Sequence, residues 1–219
     1  MIKLAPQLIN LFATLILMLS FAMISQRRVV SLINLFTIQG AALVAASVLL
    51  GYVTNQPDLY VSAALTLVLK VVFIPWMLHR VIRKLNVRWD VDTLINIPTT
   101  MLVGIALVIF SFSLALPISR LSTSMAGGSL GIALACVLLA FLMMITRSKA
   151  VPQVIGFLSM ENGLIFAATT VTNGMPMIVE FGIALDVLVG VLILGVFMFQ
   201  IREKFDSLDI HNLETLKED

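Results

Sequence analysis

The hydrophobic pattern of this chain consists of long apolar runs separated by short polar turns. The runs lie at about residues 5–25, 30–53, 59–79, 95–117, 127–146, 151–172 and 176–201. Each run has roughly 20 residues, the length that a helix needs to cross a ~30 Å hydrocarbon core. The turns between them contain Asn, Gly and Pro, which favour chain reversal. The pattern therefore predicts an all-α polytopic membrane protein with about seven transmembrane helices.

Composition supports a membrane protein with little mass outside the lipid bilayer. The chain of 219 residues is 60% hydrophobic and only 12% charged, whereas soluble domains carry about 25% charged residues. Because the basic residues other than Lys70 are predicted to lie outside the spans, no nucleic acid partner is predicted. The one cysteine, Cys136, excludes an intrachain disulfide, and the two histidines, His79 and His211, are far apart. We therefore predict no metal or cofactor in this chain.

The distribution of basic residues predicts the orientation. If the C-terminus lies inside, eleven of the 14 basic residues fall on the inner side. They are Arg27, Arg28, Arg80, Arg83, Lys84, Arg88, Arg147, Lys149, Arg202, Lys204 and Lys217. Lys3 and Arg120 fall outside, and Lys70 remains within a span. The positive-inside rule then places the N-terminus outside and the C-terminus in the cytoplasm, which requires an odd number of spans.

Three ionisable residues lie deep inside the predicted spans. Glu161 and Asp186 are each about 12 residues from a span end, or roughly 18 Å deep, and Lys70 is roughly 15 Å deep. Charged groups at this depth are costly, and they usually face a bundle interior and mark a path for ions or protons. We therefore predict that Glu161, Asp186 and Lys70 form a proton relay. A purely structural ion pair is the alternative.

Other polar residues in the spans are candidates for supporting roles. They are Gln39, Glu180 and Asn162, of which Glu180 lies near a span edge and better suits structural pairing or interfacial exposure. Asn162, together with Ser159, is placed to hydrogen-bond Glu161 or to hold water. The acid that pairs with Lys70 stays open between Glu161, Asp186 and another subunit. Pro75, five residues after Lys70, predicts a kink in the third helix.

A weak internal repeat suggests how the helices are grouped. Residues 17–44 resemble residues 138–166 at an offset of 122, which aligns Gln39 with Glu161. We predict two three-helix units joined by one helix, with chance similarity as the alternative. The predicted divisions are an N-terminal unit with a basic cytoplasmic loop (1–92), a linking helix (93–126), a C-terminal unit (127–202) and a cytoplasmic tail (203–219).

Residues 128–202 resemble the three-helix K subunit of respiratory complex I. The resemblance rests on the basic loop Arg147–Lys149, on the segment Ile155–Asn162 that contains a buried glutamate, and on a second buried acid, Asp186. The chain departs from that family in using Asp for the second acid and in spacing the two acids 25 residues apart. With four additional N-terminal helices, and with the stretch 65–85, the chain resembles the hydrogenase-4 component E family, of the formate hydrogenlyase type.

This resemblance implies a non-catalytic membrane subunit of a group 4 nickel–iron hydrogenase complex in the bacterial inner membrane. It implies proton or sodium translocation coupled to electron transfer that other subunits carry. The nickel–iron centre and the iron–sulfur clusters would lie in a cytoplasmic hydrogenase arm. The membrane neighbours would be antiporter-like and complex I H-subunit-like subunits. Three alternatives remain: a subunit of a multisubunit cation/proton antiporter, a structural membrane spacer, and a stand-alone transporter built from two repeats.

Overall fold

The computed structural model describes residues 5–85, 93–121 and 126–172, together with residue 190. The described chain is almost entirely helical. Its helices are α1 (Ala5–Ser25), α2 (Val29–Thr54), α3 (Asp58–Thr66), α4 (Ile74–Leu85), α5 (Ile97–Leu121), α6 (Ala126–Thr146) and α7 (Ala150–Thr172). A π-helical segment, Leu67–Phe73, joins α3 to α4 without a break. We call α3, this π segment and α4 together the third span.

The described helices confirm the predicted fold class. Six of them, counting the third span as one, are long and apolar enough to cross a membrane. Their bounds match the first six predicted runs to within a few residues, except that α4 continues to Leu85 and α5 to Leu121. The seventh predicted run (176–201) and the tail (203–219) lie outside the described residues. The division into two units stays a prediction.

Helix α2 occupies a central position in the described bundle. It packs against α1, the third span and α7, while α6 packs against α1, α5 and α7. Helix α5 lies at the periphery, where apolar side chains such as Leu102, Ile105, Ile109 and Phe110 are exposed. An exposed apolar surface on a membrane span suits contact with lipid chains or with another membrane protein.

The turn between α2 and α3 fixes how these two helices lie side by side. Asn55 ends α2 in the left-handed conformation (φ 54°, ψ 37°), and its backbone N–H donates to the Gly51 carbonyl. Asparagine tolerates this conformation better than most residues do. The helices then run antiparallel, because Gly51 faces Leu59 at one end and Gly40 faces Lys70 further along.

The π segment has a local cause in the sequence. Pro75 lacks a backbone N–H, and its ring would clash with a carbonyl one turn earlier in a regular α-helix. The helix widens instead, so that the Ile74 N–H donates to the Leu69 carbonyl, five residues back. The irregularity that we predicted at Pro75 is therefore a widened turn that precedes the proline. Such π turns are rare and frequently lie at functional sites.

The buried side chains differ in polarity between one end of the bundle and its middle. We call the end with the Asn55–Asp58 turn the turn end, and the end with Arg27, Arg28 and Arg147 the basic end. Toward the basic end the core is an apolar cluster. Its buried members are Met23, Ile24, Val29, Leu32, Ile33, Phe36, Ile74, Met77, Leu78, Ile82, Leu139, Met143, Ile155 and Leu158. Buried polar residues are concentrated at the next level, near the middle of the spans.

Candidate functional site

A fully buried ion pair lies between the third span and α7. Lys70 Nζ is 3.2 Å from Glu161 Oε1, and neither side chain has any exposed surface. Lys70 belongs to the π segment, and Glu161 lies midway along α7. Each charge would be costly in this low-dielectric interior without its partner, and the short separation offsets much of that cost.

Hydrogen bonds extend the ion pair across α2 to α1. Lys70 Nζ donates to Asn162 Oδ1 at 3.1 Å, and Asn162 Nδ2 donates to Gln39 Oε1 at 3.1 Å. Gln39 Nε2 in turn donates to Ser20 Oγ at 2.7 Å and to Ser159 Oγ at 3.1 Å. We call this set the polar centre: Ser20, Gln39, Lys70, Ser159, Glu161 and Asn162. It links α1, α2 and the third span to α7, and each amide uses both its donor and its acceptor within it.

The polar centre brings together four of the six predicted site residues. Lys70, Glu161, Asn162 and Gln39 are in it; Asp186 and Glu180 lie outside the described residues. Of the partners left open for Lys70, Glu161 is the one that the described chain supplies. Asn162 and Ser159, which we expected beside the Glu161 carboxylate, hydrogen-bond Lys70 and Gln39. The amide of Gln39 explains this, because it offers both a donor and an acceptor across the α2–α7 interface.

Ser20 is a member of the polar centre that sequence reasoning missed. Its hydroxyl donates to the Ile16 carbonyl of its own helix at 2.9 Å and accepts from Gln39. A single serine within an apolar run is common in membrane helices and satisfies itself on its own backbone. Only the position of α2 beside α1 shows that Ser20 also receives a hydrogen bond from another span.

Arg147 was predicted to be a loop residue on the inner side, but its side chain is buried, with 1% exposed. Its Nη2 donates to the Ile24 carbonyl at 2.6 Å and the Met23 carbonyl at 3.4 Å, at the C-terminal end of α1. A cation is favourable there, because the last carbonyls of a helix carry partial negative charge. Burial lowers the pKa of the Arg147 guanidinium from its ordinary value.

The backbone of Arg147 also connects two parts of the fold. Arg147 and Thr93 form an isolated antiparallel bridge, and the Leu94 N–H donates to the Thr146 carbonyl at 2.9 Å. The residues before α5 are therefore attached to the end of α6. Together with the contacts to α1, this makes Arg147 a junction of three helices at the basic end.

The chemistry that the polar centre offers is proton exchange and hydrogen bonding. It contains one carboxylate, one ammonium, two amides and two hydroxyls, connected by one ion pair and four hydrogen bonds. Among the residues that the structure describes, no three His, Cys, Asp or Glu side chains are grouped as metal ligands would be. Cys136 is a buried free thiol on α6.

Sequence comparison gives relatives that match nearly the whole chain. The uncharacterized protein Rv0085 of Mycobacterium tuberculosis is 30% identical over 212 residues, covering 96% of each chain. The chain belongs to the same family as Rv0085. Hydrogenase-4 component E is a more distant homologue: the Escherichia coli K12 protein is 25% identical over 218 residues, covering 96% of this chain and 97% of that protein. The Shigella flexneri protein matches to the same extent.

The resemblance to hydrogenase-4 component E that the sequence motifs indicated is thus confirmed as homology. It covers 96% of the chain, the N-terminal helices included. No family model matches the chain, and no solved structure matches it.

Proposed function

We propose that this chain is a membrane subunit of a group 4 nickel–iron hydrogenase complex of the hydrogenase-4 or formate hydrogenlyase type. In that complex it contributes to proton translocation, coupled to electron transfer that other subunits carry. Homology to hydrogenase-4 component E supports the assignment to a hydrogenase complex. The observation that carries the translocation role is the fully buried Lys70–Glu161 pair in the middle of the spans.

The proposal includes a location and an orientation. The protein lies in the bacterial inner membrane, with its N-terminus outside and its C-terminus in the cytoplasm. The basic end of the bundle then faces the cytoplasm, as the positive-inside rule requires. The exposed residues Arg27 and Arg28 lie at that end. Their guanidinium groups are available to anionic lipid headgroups or to a cytoplasmic hydrogenase arm.

The redox chemistry belongs to other chains in this proposal. The nickel–iron centre and the iron–sulfur clusters lie in the cytoplasmic arm, and antiporter-like and complex I H-subunit-like subunits are neighbours in the membrane. The apolar surface of α5 is compatible with such a neighbour, since Leu102, Ile109 and Phe110 are all more than half exposed.

Proton binding at Glu161 would change the charge of the polar centre by one unit. The carboxylate neutralises Lys70 while it is ionised; once it takes up a proton it becomes a neutral acid, and the ammonium is attracted to any other acid nearby. Asp186 is the predicted acid for that step. A proton is favoured over a sodium ion, because the oxygens Glu161 Oε1 and Asn162 Oδ1 already face the Lys70 ammonium. A second cation at those oxygens would be repelled.

Substitution of Glu161 by glutamine tests the translocation role. Glu161→Gln keeps the size of the side chain and removes the proton-binding carboxylate, and Asp186→Asn does the same at the predicted second acid. We expect both variants to assemble and to move fewer protons per electron in inverted membrane vesicles. Unchanged proton movement in an assembled Glu161→Gln complex would contradict the proposal. Loss of assembly in both variants would favour a structural spacer.

Purification of the tagged chain from membranes in mild detergent tests the assignment to a complex. We expect mass spectrometry to recover a large hydrogenase subunit, iron–sulfur subunits and antiporter-like membrane subunits. Recovery of antiporter-like subunits alone would place the chain in a cation/proton antiporter. A monomer or homodimer would contradict both complexes and favour a transporter built from two repeats.

A further inference from the structure

A line of buried positions along the third span carries hydroxyls on one side of Lys70 and aliphatic side chains on the other. At a spacing of four residues, this face presents Ser62, Thr66, Lys70, Ile74, Leu78 and Ile82. All six are buried, with at most 7% of any side chain exposed. The two hydroxyls therefore lie between Lys70 and the turn end, and the three aliphatic side chains lie between Lys70 and the basic end.

Helices α2 and α7 each add one buried hydroxyl on the turn-end side of the polar centre, among buried apolar residues such as Leu43, Leu50 and Phe166. On α2, Ser47 lies eight residues from Gln39 toward the turn end, and on α7, Thr169 lies eight residues from Glu161 in the same direction. Both are buried. Toward the basic end the two helices bury the apolar residues Leu32, Ile33 and Phe36 on α2 and Ile155 and Leu158 on α7, all without exposed surface.

Helix register places Ser47 beside the hydroxyls of the third span. Because α2 and the third span are antiparallel, with residue 51 opposite 59 and residue 40 opposite 70, residue 47 lies opposite residue 63. Ser47 is therefore at the level of Ser62 and Thr66. These hydroxyls continue the polar centre toward the turn end, with a rise of roughly 6 Å between helix positions four residues apart.

We propose that the Lys70–Glu161 pair exchanges protons with the turn end, through water held by Ser47, Ser62 and Thr66, while the apolar cluster closes the direct route from the pair to the basic end. A hydroxyl both donates and accepts hydrogen bonds, so it can order a bridging water and pass a proton along it. The aliphatic side chains offer no such partner. This inference rests on the proposed function, to which it adds the side of the membrane with which the pair exchanges protons.

The two sides of Lys70 offer matched positions for a cysteine accessibility test. In a Cys136→Ala background, Thr66→Cys and Ile74→Cys each place a thiol one turn from Lys70, and Ser62→Cys and Leu78→Cys each place one at two turns. The assembled complex in native membranes is treated with 2-hydroxyethyl methanethiosulfonate, which is small, hydrophilic and uncharged. The intact mass of the chain then reports the extent of labelling. Only the thiolate reacts, and it forms where water reaches the sulfur.

We expect Thr66→Cys and Ser62→Cys to be labelled at least about tenfold faster than Ile74→Cys and Leu78→Cys, because a thiol in a dry apolar site stays protonated. Equal labelling on both sides, faster labelling at the basic end, or no labelling at all would each overturn the route. Two positions on each side keep the test decisive if one variant reduces the amount of complex.

Proton movement separates failure of the route from failure of the proposed function. We expect Thr66→Val to lower proton movement per electron, and Thr66→Ser, which keeps the hydroxyl, to preserve it. If labelling shows water at the turn end but Glu161→Gln leaves proton movement unchanged, the proposed function is wrong. If Glu161→Gln abolishes proton movement but labelling occurs from the basic end, only the route is wrong.

Discussion

Helices α2 and α7 carry different polar groups near their centres. Each follows a short basic loop and packs in the middle of the described bundle, and each carries a fully buried polar side chain near its centre. On α2 that residue is the neutral amide of Gln39, which satisfies itself with hydrogen bonds to Ser20, Ser159 and Asn162. On α7 it is the Glu161 carboxylate, which needs the ammonium of another span.

The difference shows that a buried charge in a membrane bundle needs more from its neighbours than a buried neutral amide does. An amide can be accommodated by local hydrogen bonds, whereas a carboxylate requires a counter-charge whose own helix must be held in place. The π segment at Lys70 supplies that partner from the third span. Helix α2 therefore acts as a connector between spans, and α7 carries the group whose charge can change.

The largest expected loss of stability comes from removing the Glu161 carboxylate on α7. Glu161→Ala removes the carboxylate beside Lys70, and loss of one partner of a buried pair costs about 3–5 kcal/mol. Gln39→Ala near the centre of α2 should cost about 1–3 kcal/mol, the range for hydrogen-bond partners left unsatisfied in a protein interior. Thermal unfolding of the purified protein in detergent measures both. Equal losses of stability in the two variants would show that the charge of Glu161 contributes no more than the neutral amide of Gln39.

A double substitution sharpens the same comparison. Lys70→Met combined with Glu161→Met removes both charges and replaces them with apolar side chains, so the combined loss should be smaller than the sum of the two single losses. Coupling energies of contacting residues lie at about 0.5–3 kcal/mol. A double-mutant cycle based on unfolding temperatures measures the coupling between Lys70 and Glu161. Additive losses would mean that the two groups do not stabilise one another.

The sequence was sufficient to predict most of the fold, and it is clear why. An apolar run of about 20 residues in a membrane forms a helix, because its backbone groups must hydrogen-bond within the segment. The described spans confirm the first six runs. The depth of Lys70 and Glu161 could be predicted by counting residues along each run. Their contact could not be predicted, because it depends on how two helices distant in sequence pack together.

Two local features lay beyond sequence reasoning for different physical reasons. Pro75 indicated an irregular helix. A helix can adapt to the missing N–H of a proline either by a widened π turn or by a sharp kink, and the sequence does not distinguish the two. Arg147 lies in a basic loop, where positive-inside counting treats every cation alike. Its burial depends on the free carbonyls at the end of α1, which only the packed structure brings within reach.

The loops before α2 and α7 provide the next prediction. Arg147→Gln removes the guanidinium that donates to the Met23 and Ile24 carbonyls, and we expect a loss of about 1.5–3 kcal/mol, as for other hydrogen bonds to charged groups. Arg27→Gln in the exposed loop before α2 serves as the control and should stay within about 0.5 kcal/mol. Unfolding temperature in detergent measures both variants. Equal effects would contradict a special role for the buried arginine.

The smallest expected difference concerns how closely each helix is packed. A Cβ at Gly156 of α7 would lie 2.8 Å from Met144 Cγ on α6, whereas a Cβ at Gly40 of α2 would lie 3.4 Å from Val71 Cγ2, an ordinary contact. Gly156→Ala should therefore lose about 1 kcal/mol or more through overpacking. Gly40→Ala should be neutral or gain up to about 1 kcal/mol from helix propensity. Unfolding temperatures of the two variants measure the difference, and a gain at Gly156 would show that Met144 moves aside and that α7 is held less tightly than α2.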